Sequence, residues 1–232
     1  MTIDHPPVNV LGREVLDALV YRLDEAEADP EVRAVVLASA SDRAFAAGAN
    51  IREMAPMGPA EAHDHGERGQ GTTLRIERLP LPVIAAVNGV CLGGGCEIAL
   101  ACDFIIASDD ASFGQPEINL GVMPGWGGTR RLPRRIGPAA ARRWIMTGRS
   151  VSAKEAHAQG LVDQIVPRTD LLSTALALAG NSRKSPRSRS PQRNSPSSAR
   201  STRESRRVSP TSSTFGRTSS GPPTRRPACR PS

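Results

Sequence analysis

The composition of the chain changes abruptly near Gly180, and this change limits how much of the chain can fold around a core. Residues 181–232 contain 15 Ser, 12 Arg and 8 Pro, with few large apolar side chains among them. Such a segment cannot bury enough apolar surface to offset the conformational entropy that is lost on ordering. We therefore predict a folded core over residues 1–180 and a disordered, Ser/Arg/Pro-rich tail over residues 181–232.

The tail also accounts for the basic character of the chain. It carries 13 of the 30 Lys and Arg residues but only one of the 23 acidic residues, which leaves the core with a net charge of −5. Total charge is therefore no argument for a nucleic-acid partner of the core. The tail alone would allow salt-sensitive, sequence-blind binding to RNA or another acidic partner. Phe215 is its only aromatic residue, so stacking on bases is poorly supported.

Nothing in the sequence directs the chain to a membrane or a secretory route. No apolar run approaches the ~20 residues of a membrane-spanning helix, and the first ten residues lack the basic and apolar parts of a signal peptide. Cys91, Cys96, Cys102 and Cys229 form no CxxC pair and have no histidine at metal-ligand spacing. We therefore expect a cytoplasmic protein with neither a disulfide framework nor a metal site.

Strand and helix patterns alternate along the core, which predicts an α/β architecture. The strand segments are continuously apolar, as in VIAAV, whereas apolar residues of the helical segments recur every three or four positions. Predicted strands are Val32–Ala38, Val83–Val87, Asp103–Ala107 and Leu161–Val166, and predicted helices are Leu11–Ala28, Gly93–Ala101, Pro138–Thr147, a short helix between Ser152 and Gly160, and Asp170–Ala179. The FAAGAN segment at residues 45–50 is predicted to be a loop of small residues.

Three consecutive glycines, residues 93–95, open one of the predicted helices directly after a buried strand. Unpaired N–H groups at a helix start can bind negative charge, and glycines let a ligand approach the backbone closely. A turn for tight helix–strand packing explains the same glycines equally well. A phosphate-binding loop is excluded because no Lys-Ser/Thr pair follows the glycines.

Two acids, Glu97 and Glu117, stand out because small and apolar residues surround each of them in the sequence. A Glu in a first helical turn is often a favourable partner of the helix dipole, and a Glu after proline is often a solvated loop acid. An isolated charge among apolar residues is costly, however. Two carboxyl groups that share a dry pocket raise each other's proton affinity and can act as an acid–base pair.

Four blocks of the sequence together resemble the crotonase superfamily, and within it most closely the enoyl-CoA hydratases. The blocks are AFAAGANIREM (44–54), PVIAAVNGVCLGGGCEIALACDF (82–104), FGQPEINLGVMPGWGGTRRL (113–132) and TGRSVSAKEAHAQGLVDQIVP (147–167). The resemblance covers about residues 3–179. It implies a crotonase-like (ClpP/crotonase) α/β fold, a spiral of ββα units, with a low-complexity tail in place of the usual C-terminal helices.

The resemblance also implies roles for particular residues. Glu97 and Glu117 match the two catalytic glutamates of the hydratases, and the N–H groups of Ala49 and Gly94 match the oxyanion hole for the thioester carbonyl. Positions implied to bind substrate or line the CoA channel are Ala47, Asn50, Ile51, Arg52 and Gly125. The implied reaction is hydration of a 2-enoyl-CoA to a 3-hydroxyacyl-CoA, as in fatty acid β-oxidation. It needs no cofactor, because coenzyme A is part of the substrate.

Other readings of the same motifs stay open. The superfamily includes enoyl-CoA isomerases and other acyl-CoA enzymes, although isomerases usually manage with one acid. A pseudoenzyme that binds CoA without catalysis is a further alternative, as is a chain that acts through its tail.

The sequence departs from the family pattern at several places. Asn50 replaces a usual Asp, and Trp126 replaces a frequent Ala, where the ring could reshape the acyl pocket or simply pack the turn. Residues 61–71, with His63 and His65, resemble the variable, mobile loop over the acyl site, and we predict no role for either histidine.

Both ends of the resemblance are also unusual. The family has a strand before the segment matching residues 2–10, so an internal start at Met1 is one interpretation. Family members build homotrimers or hexamers with helices that follow residue 179, and the tail has no apolar periodicity that could replace them. The sequence therefore argues against that assembly here. Our hypothesis for the tail is a frameshift near codon 180.

Overall fold

The computed structural model describes residues 1–182, and these fold into strands and helices that alternate along the chain. The strands are β1 (Thr2–Ile3), β2 (Val10–Leu11), β3 (Val35–Ser39), β4 (Ala44–Ala46), β5 (Gly48–Ala49), β6 (Val83–Val87), β7 (Val90–Leu92), β8 (Phe104–Ser108), β9 (Ser112–Gly114), β10 (Val151–Ser152) and β11 (Gln164–Val166). The helices are α1 (Arg13–Ala28), α2 (Ile51–Met54), α3 (Pro59–Arg78), α4 (Gly94–Ala101), α5 (Gly128–Ile136), α6 (Pro138–Thr147), α7 (Ala153–Ala158) and α8 (Leu171–Ser182), with 3₁₀ helices at Pro116–Leu120 and Arg168–Asp170.

The larger sheet is parallel and has the strand order β1-β3-β6-β8-β11. Alternate residues of its central strands enter two separate cores. In β6, for example, Val83, Ala85 and Val87 join the main core, whereas Ile84 and Ala86 face a second core that includes Leu171 and Ala175 of α8. A parallel sheet covered on both faces requires such continuously apolar strands.

The smaller sheet receives the second strand of each repeating unit. Strands β3, β6 and β8 lie in the larger sheet, and the strands that follow them, β4, β7 and β9, pair in parallel in a smaller sheet of order β10-β9-β7-β4. Helices follow these strand pairs, as α4 follows β7 and α5 follows β9. The predicted α/β fold of ββα units is confirmed.

Most predicted elements are present, with small shifts at their ends. The strand Val83–Val87 and the helix Pro138–Thr147 have the predicted bounds. Ser152 caps α7 by accepting a hydrogen bond from the Glu155 N–H, as its position before that helix predicts. The last described helix ends at Ser182, and the predicted disorder and frameshift concern a tail that otherwise lies outside the described residues.

Two predictions about loops are wrong. The FAAGAN segment contains most of β4 and all of β5, because small residues allow its backbone to pair closely with β7 and β2. Residues 61–71 lie within helix α3, which runs from Pro59 to Arg78. The Glu61 carboxylate accepts a hydrogen bond from the Gly58 N–H at the start of α3, 2.9 Å away. The buried face of α3 consists largely of small or polar residues. The spacing of large apolar residues along the sequence therefore does not reveal this helix.

No helix within residues 1–182 is both long enough and apolar enough to cross a membrane. Cys91, Cys96 and Cys102 are buried free thiols, and Cys229 lies outside the described residues.

Candidate active site

Helix α4 places Glu97 in its first turn, deep inside the molecule. Its start is forced by Gly93, whose φ of +52° is rarely accessible to residues with a Cβ. The Glu97 N–H donates to the Gly93 carbonyl, which closes the first turn. Gly95 lies against strand β4, since a Cβ there would stand 2.2 Å from the Ala46 carbonyl oxygen. The close-packing interpretation of the glycines is confirmed, and ligand binding at this helix start stays a prediction.

Glu97 is a buried carboxyl group held by two backbone donors. Its Oε1 accepts hydrogen bonds from the N–H groups of Trp126, at 2.8 Å, and Gly128, at 2.7 Å. Only 2% of Glu97 is exposed. Burial is the main cause that raises the pKa of Glu97 to about 7, and the charge of Glu117 adds to it, while the two N–H groups and Arg131 oppose the shift.

Glu117 lies on the 3₁₀ helix Pro116–Leu120 and approaches the same glycines from the opposite side. A Cβ at Gly93 would stand 3.2 Å from the Glu117 Oε1. Burial also raises the pKa of Glu117 above its usual value. Gln115 is fully buried, and one terminal atom of its amide lies 3.0 and 3.3 Å from the two carboxylate oxygens of Glu117. We assign this atom as the nitrogen, because only a donor can form hydrogen bonds with both oxygens.

Strand β5 brings Ala49 beside the start of α4. Gly48 has a φ of +104°, and a Cβ on it would stand 3.6 Å from the Gly94 nitrogen. As the first residue of α4, Gly94 has an N–H group without a partner inside the helix. The structure therefore places the two predicted oxyanion-hole positions side by side.

These groups share one cavity of about 290 Å³, which we call the carboxylate cavity. Its wall is mostly apolar. Of the predicted residues, it includes Ala47, Ala49, Ile51, Gly94, Glu97, Glu117 and Gly125. Asn50 and Arg52 are outside the wall that the described residues form. The Asn50 side chain instead caps α2 by accepting hydrogen bonds from the N–H groups of Arg52 and Glu53. A part for Asn50 and Arg52 in CoA binding stays a prediction.

The two carboxyl groups and the helix start are the kind of groups that transfer protons to and from a bound molecule. With the pKa of both carboxyl groups raised in one cavity, one can carry a proton near neutral pH while the other accepts one. Backbone N–H groups at the start of a helix can stabilise a developing oxyanion.

Comparison with known proteins identifies the family of this chain. The family model described as enoyl-CoA hydratase/isomerase matches residues 1–213. The chain belongs to this enoyl-CoA hydratase/isomerase family.

Curated members of the family are close in sequence. The short-chain-enoyl-CoA hydratase of Clostridium acetobutylicum is 46% identical over 180 residues, which are 77% of this chain and 69% of that protein. The crotonyl-CoA hydratase of Syntrophomonas wolfei is 42% identical over 75% of this chain and 66% of its own length. Among solved structures, an enoyl-CoA hydratase from Bacillus anthracis superposes with a TM-score of 0.75 at 40% identity, covering 78% of this chain and 71% of that one.

Trp126 is a buried aromatic residue beside the two candidate carboxyl groups. It is 4% exposed and lies on the wall of the carboxylate cavity. A Cβ at Gly69 of α3 would stand 2.1 Å from its ring, and a Cβ at Gly94 would stand 2.3 Å from it. The ring therefore does more than pack the turn around it: it fills the space between α3 and the start of α4.

His65 and Gln115 were missed by sequence reasoning. His65 is 8% exposed, lines the carboxylate cavity and stacks against Trp126 with ring centroids 5.7 Å apart. Its Nε2 has no hydrogen-bond partner among the described residues. The spacing of His65, Gly69 and Thr73 at every fourth residue could have revealed a buried helical face, if small and polar residues had been counted as members of it.

The two histidines of the HxH pair point to different environments. His63 is exposed and lies 3.4 Å from Glu67, whereas His65 is buried. Residues two apart on a helix lie on different faces. Within residues 1–182, no three His, Cys, Asp or Glu side chains come together as a possible metal site.

Proposed function

We propose that this chain is an enoyl-CoA hydratase that adds water across the double bond of a 2-enoyl-CoA thioester to give a 3-hydroxyacyl-CoA. The observation that carries the proposal is the presence of two carboxyl groups with raised pKa values in one apolar cavity beside the Gly94 N–H. The family relationship supports it, because the curated relatives named above are enoyl-CoA and crotonyl-CoA hydratases.

The substrate would bind as an acyl-CoA thioester with its carbonyl oxygen between the N–H groups of Ala49 and Gly94. As negative charge moves onto this oxygen, the two N–H groups stabilise the enolate more than the starting thioester. Donors of this kind are typically worth ~3–4 kcal/mol each to the transition state. Residues 47–52 would line the channel for the CoA portion.

Glu97 and Glu117 would act on the water as a pair. One carboxylate removes a proton from the water as its oxygen forms a bond to Cβ, and the other carboxyl group supplies a proton to Cα. The π bond is consumed as the new C–O and C–H bonds form. One water proton stays in the product hydroxyl, the other is left on the glutamate that removed it, and Cα receives the proton of the other glutamate, so the pair still holds one proton after the step. The proton of a coupled pair belongs to both groups, so the acid and base roles are shared between Glu97 and Glu117.

Hydration of crotonyl-CoA by the purified 232-residue chain tests the proposal, followed as loss of enoyl-thioester absorbance. We expect Glu117→Gln to lower kcat by about two to four orders of magnitude, the usual contribution of a general acid or base. Glu31→Gln is the matched control, since Glu31 is exposed on the surface and should leave kcat unchanged. Near-normal turnover by Glu117→Gln would contradict the assigned mechanism. Absence of hydration by the folded wild-type chain would contradict the proposed function itself.

Several apolar side chains are exposed where the carboxylate cavity meets the surface. Leu120, Val122 and Met123 line the cavity and are 45–64% exposed. Exposed apolar side chains of this kind favour association. We therefore expect the purified chain to associate as its concentration rises, and light scattering during purification would measure this.

A further inference from the structure

Two cavities adjoin at the turn that carries Trp126. The carboxylate cavity, of about 290 Å³, and a second cavity of about 340 Å³ share Met123, Gly125 and Trp126 in their walls. The second cavity, which we call the outer cavity, is otherwise lined mainly by residues of α3 and α5, among them Gln70, Leu74 and Arg130.

Four hydrogen bonds hold the backbone around Trp126 in place. Its carbonyl oxygen accepts hydrogen bonds from the Thr73 hydroxyl, at 2.8 Å, and from the Arg131 guanidinium, at 2.9 Å. Its N–H donates to Glu97. The adjacent Gly125 carbonyl accepts a hydrogen bond from Gln70 of α3, at 2.8 Å. The backbone of this turn is thereby tied both to α3 and to the buried carboxyl group.

The ring itself packs closely between two helices. Gly69 and Gly94 face it from two different helices, and any side chain at either position would overlap it. His65 contacts it from the cavity side, with the two rings inclined by 50°. A large, closely packed apolar ring on a cavity wall limits how far an apolar ligand can extend past it, because protein interiors deform little.

We propose that Trp126 determines the acyl-chain length of the substrate. The ring closes the inner end of the carboxylate cavity, so that only short-chain acyl groups fit and longer chains are excluded from the outer cavity. This inference rests on the proposed function, since it assigns the cavity to the acyl group of a CoA thioester. Trp126 is a specificity-determining residue here and takes no part in proton transfer.

Binding of saturated acyl-CoAs tests this without relying on turnover, because a saturated chain has no double bond to hydrate. Affinities of butyryl-CoA and octanoyl-CoA would be measured by titration calorimetry with the wild-type chain, Trp126→Ala and Trp126→Leu. Each additional buried methylene is worth about a three- to fourfold gain in affinity. We therefore expect removal of the ring to shift the octanoyl-to-butyryl affinity ratio toward octanoyl-CoA by at least tenfold.

Trp144→Leu is the matched control, since Trp144 is an equally buried tryptophan that lies outside both cavity walls, on α6. Its affinity ratio should equal that of the wild-type chain. Trp126→Leu fills more of the vacated space than Trp126→Ala and keeps the test valid if the smaller side chain unfolds the chain. An unchanged ratio in a folded Trp126 variant, or no binding of either acyl-CoA, would overturn the proposal.

Turnover of crotonyl-CoA and 2-octenoyl-CoA separates this inference from the proposed function. If the wild-type chain binds butyryl-CoA more tightly but hydrates neither enoyl-CoA, the proposed function is wrong and the chain-length limit set by Trp126 is supported. If it hydrates both substrates with equal kcat/KM, the proposed function is supported and the chain-length limit is wrong.

Discussion

Helices α4 and α3 both line the carboxylate cavity, but they are held in the fold in different ways. Every residue of α4 is buried, and its Gly95 lies directly against the backbone of β4. Helix α3 buries one face only, and its outer face pairs with α1 through Arg68–Asp17 and Arg75–Asp24. The α4 side of the cavity is thus built on closely packed backbone, and the α3 side on side chains. We therefore expect substitutions in α4 to disturb the fold more than substitutions in α3.

The largest expected effect concerns the buried acid of α4. The pKa of Glu97 is raised to about 7 from an ordinary value of 4.5, so its contribution to stability is fully present below pH 4.5 and is lost as pH rises toward 7. Glu97→Gln keeps an acceptor for the Trp126 and Gly128 N–H groups but cannot ionise. We expect the variant to be more stable than the wild-type chain above pH 7, by up to about 3 kcal/mol.

Urea unfolding of both proteins between pH 5 and 8.5 measures this difference. The Glu31→Gln variant should follow the wild-type curve, because Glu31 is exposed. Parallel curves for Glu97→Gln and the wild-type chain across this range would contradict the buried, proton-binding state of Glu97.

Adding a methyl group at one glycine of α4 and one of α3 tests whether the two helices differ in how closely they are packed. Gly95→Ala in α4 would place a Cβ 2.2 Å from the Ala46 carbonyl oxygen, and we expect a destabilisation of about 1–3 kcal/mol from overpacking. Gly71→Ala in α3 meets no described atom within 4 Å and should stabilise the chain by about 0.5–1 kcal/mol through helix propensity. Thermal unfolding of the two variants should shift in opposite directions. A shift of the same sign in both would show that α4 and α3 do not differ as described.

The smallest expected effect concerns His65 on α3. Burial is the main cause that lowers the pKa of His65, while Glu53 opposes the shift and Arg13 and Arg68 add to it. A lowered pKa means that stability is present above about pH 6.5, the unfolded value, and is lost as pH falls through the folded value. We expect His65→Leu to remove this part of the acid destabilisation.

The exposed neighbour His63 provides the matched control for that measurement, since His63→Leu should leave the acid arm of the stability curve unchanged. Unfolding midpoints would be compared between pH 7.5 and 5. Equal behaviour of the two variants would show that His65 is not held neutral by its surroundings.

The parts of the fold that sequence patterns predicted are those that depend on local period and turn chemistry. Strand Val83–Val87 is continuously apolar because both sheet faces are buried, and Pro138 and Gly148 mark the ends of α6. Helix α3 escaped prediction because its buried face uses His65, Gly69 and Thr73, all of which contact Trp126 and none of which is a large apolar residue. Strands β4 and β5 escaped because small residues carry little strand signal.

The sequence by itself determined the family, the two candidate carboxyl groups and the positions of the glycines, since these follow from residue type and spacing along the chain. Only the tertiary structure decided that Glu97 is buried and held by the N–H groups of Trp126 and Gly128, and that Trp126 lines two cavities. The physical reason is that burial, and contacts between residues 29 and 31 positions apart, depend on how the elements pack, and no local pattern records that packing.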